Sequence, residues 1–303
     1  MPITKRRTAL LTTATVLTAA MLAGCAMTSS PEQPTPHTAD ATNPAAKSFK
    51  QLEQDLHARM GVYALDTGTG REIAYRGNER FAHASTIKAL AVGILLQRAS
   101  DADLDTVVSY RPEDLQKYAP ITSQNVATGM SLRDLAIAAV QYSDNTAANL
   151  VFDKLGGPAG LQQALRSLGD TTTNTDRPEP ALNEATPGDP RDTSTPRALA
   201  TDLRSLVLGD VLSSSRRQLL TDWLLRNTTG GPYIRAGVPA GWKVGDKTGN
   251  GGYGTRNDIA VVWPDGGRSP IVIAVLSDRD KTGAASDDAL IATATKAALD
   301  ALG

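Results

Sequence analysis

Ser85 and Lys88 stand three residues apart in Ser85-Thr86-Ile87-Lys88. That is about one helical turn, so the hydroxyl and the amine can face one cavity if the segment is helical. Thr86 to Ala99 (TIKALAVGILLQRA) has no proline, one glycine and mostly apolar side chains, which predicts a buried helix opening at the serine. At such a terminus, free backbone N–H groups and the positive end of the helix dipole stabilise an oxyanion, while a buried lysine loses its proton and acts as a base. The chemistry implied is a nucleophile with its own base. The same spacing also arises from a helix cap followed by a solvated lysine, so the remaining chain must decide between the two.

Three further groups of residues bear on that choice. Ser143-Asp144-Asn145 lies between two helical patterns, where an Asp or Asn taken alone is a cap. Lys247-Thr248-Gly249 ends a strand pattern, where a lysine alone is an edge charge and a glycine a turn residue. Arg177-Pro178-Glu179-Pro180 opens a stretch with Pro187, Gly188, Pro190 and Asp192, too rich in breakers for helix or strand, which reads as an Ω-type loop. Gly249 to Gly254 (GNGGYG) has the spelling of a dinucleotide loop, but Asn257 to Trp263 after it reads as a strand and not as the helix that a pyrophosphate needs. His83, two residues before Ser85, is expected to pack beneath the site as a polar residue and not to form a Ser-His-Asp triad, because the serine already has a lysine.

The elements that must position these groups follow from periodicity. Phe49, Leu52, Leu56 and Met60 mark one face of a helix stopped by Gly61. Val62 to Asp66 and Glu72 to Tyr75 alternate as strands around the turn Thr67-Gly68-Thr69-Gly70. From Ser85 to about Trp223 the pattern is helical and loop-rich, with helices at Leu132 to Gln141 and Ala147 to Leu155; strands return at Trp242 to Thr248, Asp258 to Trp263 and Pro270 to Ser277, before a closing helix at Asp287 to Leu302. The expected fold is α/β plus all-α: an antiparallel sheet flanked by helices, built from both chain ends, around an inserted helical lobe. The α/β lobe takes residues 48–84 and 226–303, the helical lobe 85–225, and the active site lies at the seam.

The 303 residues are 41% hydrophobic and 21% charged with a net charge of −1, an ordinary globular composition that gives no electrostatic case for nucleic acid. Three histidines and one cysteine cannot build a usual zinc site. Lys5-Arg6-Arg7 precedes an apolar run from Ala9 to Ala23, too short for a comfortable membrane span, so residues 1–24 read as an export signal. Leu22-Ala23-Gly24-Cys25 resembles the lipobox of bacterial lipoproteins, which implies lipidation of Cys25; a plain secretory signal with an accidental cysteine is the alternative. Arg6-Arg7 is a weak match to a twin-arginine signal. Residues 25–47, with four prolines among Ser, Thr, Ala and Asn, read as a disordered tether. The expected localisation is exported, at the cell surface or the periplasmic side of a membrane, with the membrane contacted only through Cys25.

Ser-x-x-Lys, Ser-Asp-Asn and Lys-Thr-Gly in this order, with a glutamate-bearing loop between the last two, form a known signature set. Over about residues 48–303 the chain resembles a class A serine β-lactamase, including Asn145-Thr146-Ala147-Ala148-Asn149-Leu150 and Glu179-Pro180-x-x-Asn183. The resemblance implies hydrolysis of penicillin- and cephalosporin-type β-lactams by a monomer that needs no metal or cofactor. It implies that Ser85 is the acylated nucleophile and that Lys88 activates it directly or by relay. Ser143 would protonate the lactam nitrogen, and Glu179 and Asn183 would hold the hydrolytic water. The backbone N–H groups of Ser85 and Asn250 would form the oxyanion hole. Asn145 would hold Lys88 and the substrate amide; Lys247, Thr248 and Gly249 would line the carboxylate side, with Arg256 as a second cation. Tyr118 would line the entrance, and Arg177 and Asp192 would close the neck of the loop. Pro178, Asn250 and Tyr233 depart from the family pattern without removing a catalytic group. A D,D-peptidase or a non-hydrolytic penicillin-binding sensor lipoprotein shares the motifs, but Glu179 and Asn183 argue against both; class C and D enzymes use other motifs.

Overall fold

Strands from both ends of the chain meet in one sheet. The computed structural model describes residues 43–303. In chain order these form α1 (Ala46–Asp55), β1 (Arg59–Asp66), β2 (Glu72–Tyr75), β3 (Phe81–Ala82), α2 (Ile87–Arg98), α3 (Asp101–Leu104), β4 (Val107–Val108), β5 (Met130–Ser131), α4 (Leu132–Gln141), α5 (Asn145–Leu155), α6 (Gly157–Ser167), β6 (Thr193–Ser194), α7 (Pro196–Val207), α8 (Ser214–Leu225), α9 (Ile234–Gly237), β7 (Lys243–Asn250), β8 (Arg256–Trp263), β9 (Ile271–Asp278) and α10 (Asp288–Leu302). The sheet order is β2-β1-β9-β8-β7, antiparallel throughout.

Both faces of this sheet are buried, and the two-residue period of a strand sorts its side chains between two cores. Ile271, Ile273 and Val275 of β9 pack with Phe49 of α1 and Leu290 and Ile291 of α10. Val272, Ala274 and Leu276 face the helical side with α2, α7 and α8. Burial on both faces explains why β9 reads as an unbroken apolar run. In α2 every residue from Ile87 to Leu96 is buried, as expected of a helix that is apolar all round. Lys88 is the one charge in that run, so its ammonium must be met by protein groups.

Local signals fix the ends of the site-bearing helices. Ser131 caps α4 by accepting the N–H of Asp134, and Asp144 caps α5 by accepting that of Ala147 at 2.9 Å. Gly156, with φ at 89°, ends α5 in the left-handed region that favours glycine.

The first helix departs from the periodic expectation. α1 stops at Asp55, and Met60 and Gly61 belong to β1. Gly61 is no stop signal: a Cβ there would stand 2.5 Å from the Phe81 ring and 2.8 Å from Pro196, so a bare Cα is required where β1 passes these side chains. Residues before 48 also pack on the domain, since Asn43 donates to the Ala74 carbonyl at 2.8 Å and Lys47 lies in α1. The expected export signal, Cys25 and most of the tether lie outside the described residues. Among the described residues no helix is long and apolar enough to cross a membrane.

Candidate active site

Ser85 sits in a tight 3-10 turn, Ala84–Thr86, immediately before α2, so that the α-helix starts at Ile87, one residue later than the Thr86 start that the sequence predicts. The turn is pinned by Thr86, whose Oγ1 donates to the His83 carbonyl at 2.7 Å and whose N–H donates to it at 3.2 Å. Lys88 lies in the first turn of α2, and its side chain is fully buried. Its Nζ donates to Asn145 Oδ1 at 2.7 Å and to the Ser143 carbonyl at 2.8 Å, and lies 2.9 Å from Glu179 Oε1. The Ser85 hydroxyl donates to that same carboxylate oxygen at 3.0 Å. Glu179 Oε1 is thus shared between the Ser85 hydroxyl and the Lys88 amine.

One helix holds both the lysine and the glutamate of this pair. Asn145 and Asn149 stand four residues apart in α5, on one face at successive turns. Asn145 takes Lys88, while Asn149 brackets the backbone of Glu179, donating to its carbonyl at 2.9 Å and accepting its N–H at 2.8 Å. The sequence offered Asn149 only as part of a run; its pairing with a residue 30 positions away has no local signal. Asp144, between the two functional positions Ser143 and Asn145, accepts the N–H groups of Ile121, Thr122 and Ala147 and is a buried structural cap. Ser143 has φ at 57°, a backbone shape uncommon outside glycine, and both its carbonyl and its hydroxyl face lysines.

The loop from Arg177 to Asp192 carries Glu179 into the site through the cis Glu179–Pro180 bond. Asn183 donates from Nδ2 to Glu179 Oε2, and its own Oδ1 is buried with no partner. At the neck, Arg177 Nε donates to Asp192 Oδ2 at 2.5 Å, while Asp192 Oδ1 accepts the N–H groups of Asp176 at 2.8 Å and Arg177 at 3.0 Å. Two glycines of GNGGYG, Gly251 and Gly252, press against this loop. A Cβ on Gly251 would lie 2.9 Å from the Asn183 carbonyl and one on Gly252 2.4 Å from that of Glu184. Bare backbone is needed where the β7–β8 turn crosses the loop, which is what the dinucleotide spelling reflects.

β7 supplies the opposite wall. Lys247 Nζ donates to Ser143 Oγ at 3.0 Å and to the Thr248 carbonyl at 2.9 Å. Thr248 Oγ1 lies 2.6 Å from Thr229 Oγ1, a partner that nothing in the sequence marked. Gly249 is pressed onto the Ser85 turn: a Cβ there would meet the His83 carbonyl at 2.9 Å and the Thr86 nitrogen at 3.1 Å. A cleft of about 230 Å³ opens above these groups, lined by Ser85, Tyr118, Ser143, Asn145, Asn183, Thr229, Thr248 and Asn250. Lys88, Glu179 and Lys247 lie under its floor. Arg256 faces Asn250 across the ladder, but its Nε donates to Asp288 Oδ1 at 2.8 Å and it does not line the cleft.

Burial sets the electrostatics. It pulls Lys88 below the usual lysine range, against the opposing charge of Glu179. Burial, with repulsion from Lys88, pulls Lys247 down to about 7. Beneath Lys247, burial pushes Asp246 up although Arg235 Nε reaches it at 2.6 Å, and burial together with Asp246 raises Asp258 well above the carboxylate range. His83 is buried and held neutral by that burial; its ring nitrogens lie 3.0 Å from the carbonyls of Ala84 and Asn174, away from Ser85. No triad forms. Among the described residues no group of three or more His, Cys, Asp or Glu side chains gathers as metal ligands.

This arrangement places a hydroxyl against a carboxylate, buried lysines on two sides and helix-start amides at the serine, groups of the kind that acyl transfer uses. Residues 44–302 match the model of the β-lactamase enzyme family. The β-lactamase of Bacillus licheniformis is 52% identical over 289 residues, covering 93% of this chain and 91% of that protein. The β-lactamase of Amycolatopsis lactamdurans is 56% identical over 257 residues, covering 85% of each. The crystal structure of a class A β-lactamase from Clostridium kluyveri DSM 555 superposes with a TM-score of 0.83 at 49% identity, covering 84% of this chain and 97% of that one.

Proposed function

This chain belongs to the β-lactamase enzyme family as a class A serine β-lactamase, a hydrolase acting on β-lactams, and we propose that it works through an acyl-enzyme on Ser85. The observation that carries the proposal is Glu179 Oε1, which accepts from Ser85 Oγ at 3.0 Å and lies 2.9 Å from Lys88 Nζ. As Ser85 Oγ bonds to the lactam carbonyl carbon, its proton passes to the Glu179 carboxylate, or to Lys88 in the neutral amine form that its burial favours. The backbone N–H groups of Ser85 and Asn250 stabilise the charge that develops on the carbonyl oxygen. When the C–N bond breaks, Ser143, hydrogen-bonded to Lys247, passes its proton to the nitrogen, and the proton taken from Ser85 reaches Ser143 Oγ through Lys88, 3.4 Å away, which leaves Glu179 a carboxylate. Lys247 and Thr248 hold the ring carboxylate, and Tyr118 borders the entrance.

Hydrolysis of the ester separates this enzyme from a protein that penicillin merely blocks. Glu179 takes a proton from the water whose oxygen bonds to the ester carbonyl carbon and passes it to Ser85 Oγ, 3.0 Å away, as the C–Oγ bond breaks, while the open Oδ1 of Asn183 accepts the water's other hydrogen. The test is turnover of benzylpenicillin and a chromogenic cephalosporin by residues 43–303, alongside Glu179→Ala followed by mass spectrometry. Steady turnover by the parent and a trapped acyl adduct on the variant support the proposal. A stable adduct on the parent without turnover means a penicillin-binding peptidase or sensor.

The export signal, lipidation of Cys25 and a monomeric state complete the proposal. Cys25→Ser in the full chain is expected to release activity from the membrane fraction into the soluble exported one, and an unchanged distribution counts against a lipid anchor.

A further inference from the structure

Tyr233 and Asn250 depart from the family pattern, and the reaction proposed above uses only the backbone of the second. Asn250 ends β7 two residues after Thr248, so both side chains point to the same face of the strand, and both line the cleft. An asparagine amide has an acceptor and a donor end, and which one meets the cleft matters to an anionic substrate. Tyr233, 5% exposed and packed in the core beside α9, donates its hydroxyl to Asn250 Oδ1 at 2.9 Å. The other acceptor near that hydroxyl, Asp288, already takes Arg256 Nε at 2.8 Å.

We propose that Tyr233 is a positioning residue that fixes the Asn250 side-chain amide with its NH2 toward the cleft, where it donates to the substrate's ring carboxylate beside Thr248. The inference rests on the hydrolase reading and adds a neutral donor to the carboxylate side. The reversed amide would set a carbonyl oxygen against an anion, whereas the observed one makes a charge-assisted hydrogen bond. Burial pushes the Tyr233 phenol up to about 12, so the hydroxyl remains a donor over the working range of pH.

The test is a double-mutant cycle on Tyr233→Phe and Asn250→Ala, read as separate kcat and KM values for benzylpenicillin. Phenylalanine keeps the buried ring and removes only the hydroxyl. Tyr233→Phe is expected to raise KM about three- to tenfold with kcat within about twofold, and to add almost nothing in the Asn250→Ala background. An unchanged KM, or an equal effect in both backgrounds, overturns the proposal and leaves Tyr233 as packing. Asn250→Asp tests it without touching the core: the new carboxylate still accepts from Tyr233 but presents an acceptor to the cleft, and KM should rise at least about tenfold; a KM like that of the parent overturns it. If the parent acylates without turning over, the hydrolase reading fails, while the same comparison made on second-order acylation rates still decides the role of Tyr233.

Discussion

Replacing Gly249 by alanine tests how rigidly the oxyanion site is held. The glycine Cα faces the turn that carries Ser85, and an added Cβ would lie 2.9 Å from the His83 carbonyl, 3.0 Å from Thr86 Cγ2 and 3.1 Å from the Thr86 nitrogen. The shortest of these falls about half an ångström inside ordinary van der Waals contact. Two of the three atoms are backbone, and the turn is braced by the two Thr86 bonds to His83. No side-chain rotation relieves the clash, so β7 must move off the turn. The two amides proposed to stabilise the oxyanion lie on opposite sides of that contact, at Ser85 and at Asn250.

A displacement of that size in a site built for one geometry is expected to lower kcat about 10- to 100-fold. The overpacking itself costs about 1–3 kcal/mol of stability. Because the oxyanion forms in both half-reactions, acylation and deacylation should slow together. Stopped-flow acylation by benzylpenicillin, mass spectrometry of the steady state and a thermal melt separate the effects. The expected record is slow acylation without accumulated adduct, unlike Glu179→Ala. Acylation within about twofold of the parent, with an unchanged melt, would refute the claim that Gly249 sets the spacing between strand and turn.

Other perturbations probe the loop, the buried charges and the pH dependence. Asp192→Asn keeps an oxygen for the two backbone N–H groups but removes the charge opposite Arg177, and should cost about 2–4 kcal/mol; adduct should accumulate because Glu179 is loosened, which melting and mass spectrometry check together. Asp202 is pushed up to about 9 by burial and then by Asp170, so it keeps in the folded chain a proton that the unfolded chain loses at roughly pH 4. Stability therefore falls as pH rises through that window, and Asp202→Asn should raise the melting temperature more at pH 8 than at pH 5; an equal shift at both counts against it. Lys247, at about 7 in the free enzyme, loses its charge as pH rises, so kcat/KM for benzylpenicillin should decline on the alkaline side. Lys247→Arg should move that limb upward by more than about one pH unit, because a guanidinium stays charged; an unmoved limb assigns it to another group.

Much of the frame was legible because it depends on local rules. β2 and α4 begin and end where alternation and helical periodicity place them, and β7, β8, β9 and α10 within two residues. In these elements burial coincides with sequence period, on both faces for β9 and all round for α2. Met60 and Gly61 misled for the converse reason. Helical spacing continued by accident into β1, and the glycine answers to Phe81 and Pro196, which no local pattern reveals. The motifs likewise identified which side chains meet in the site, but not which bonds they make. Ser85 donates to Glu179, 94 residues away, and Arg256 turns to Asp288.

The hidden bonds around the buried lysines and the glutamate share one physical cause, the need to satisfy charges taken out of water. Lys88, Glu179 and Lys247 are each at most 2% exposed, and each must find partners wherever the fold brings them. The ammonium of Lys88 is met by two residues at the start of α5 and one on the loop; the backbone of Glu179 is met by Asn149 from the next turn of α5. α5 therefore couples Lys88 to the loop glutamate through two asparagines four residues apart. Moving the Asn149 amide would loosen Glu179 while leaving every residue of the three motifs in place. This is why a motif marks the chemistry, and the helix that spaces the asparagines determines whether it can run.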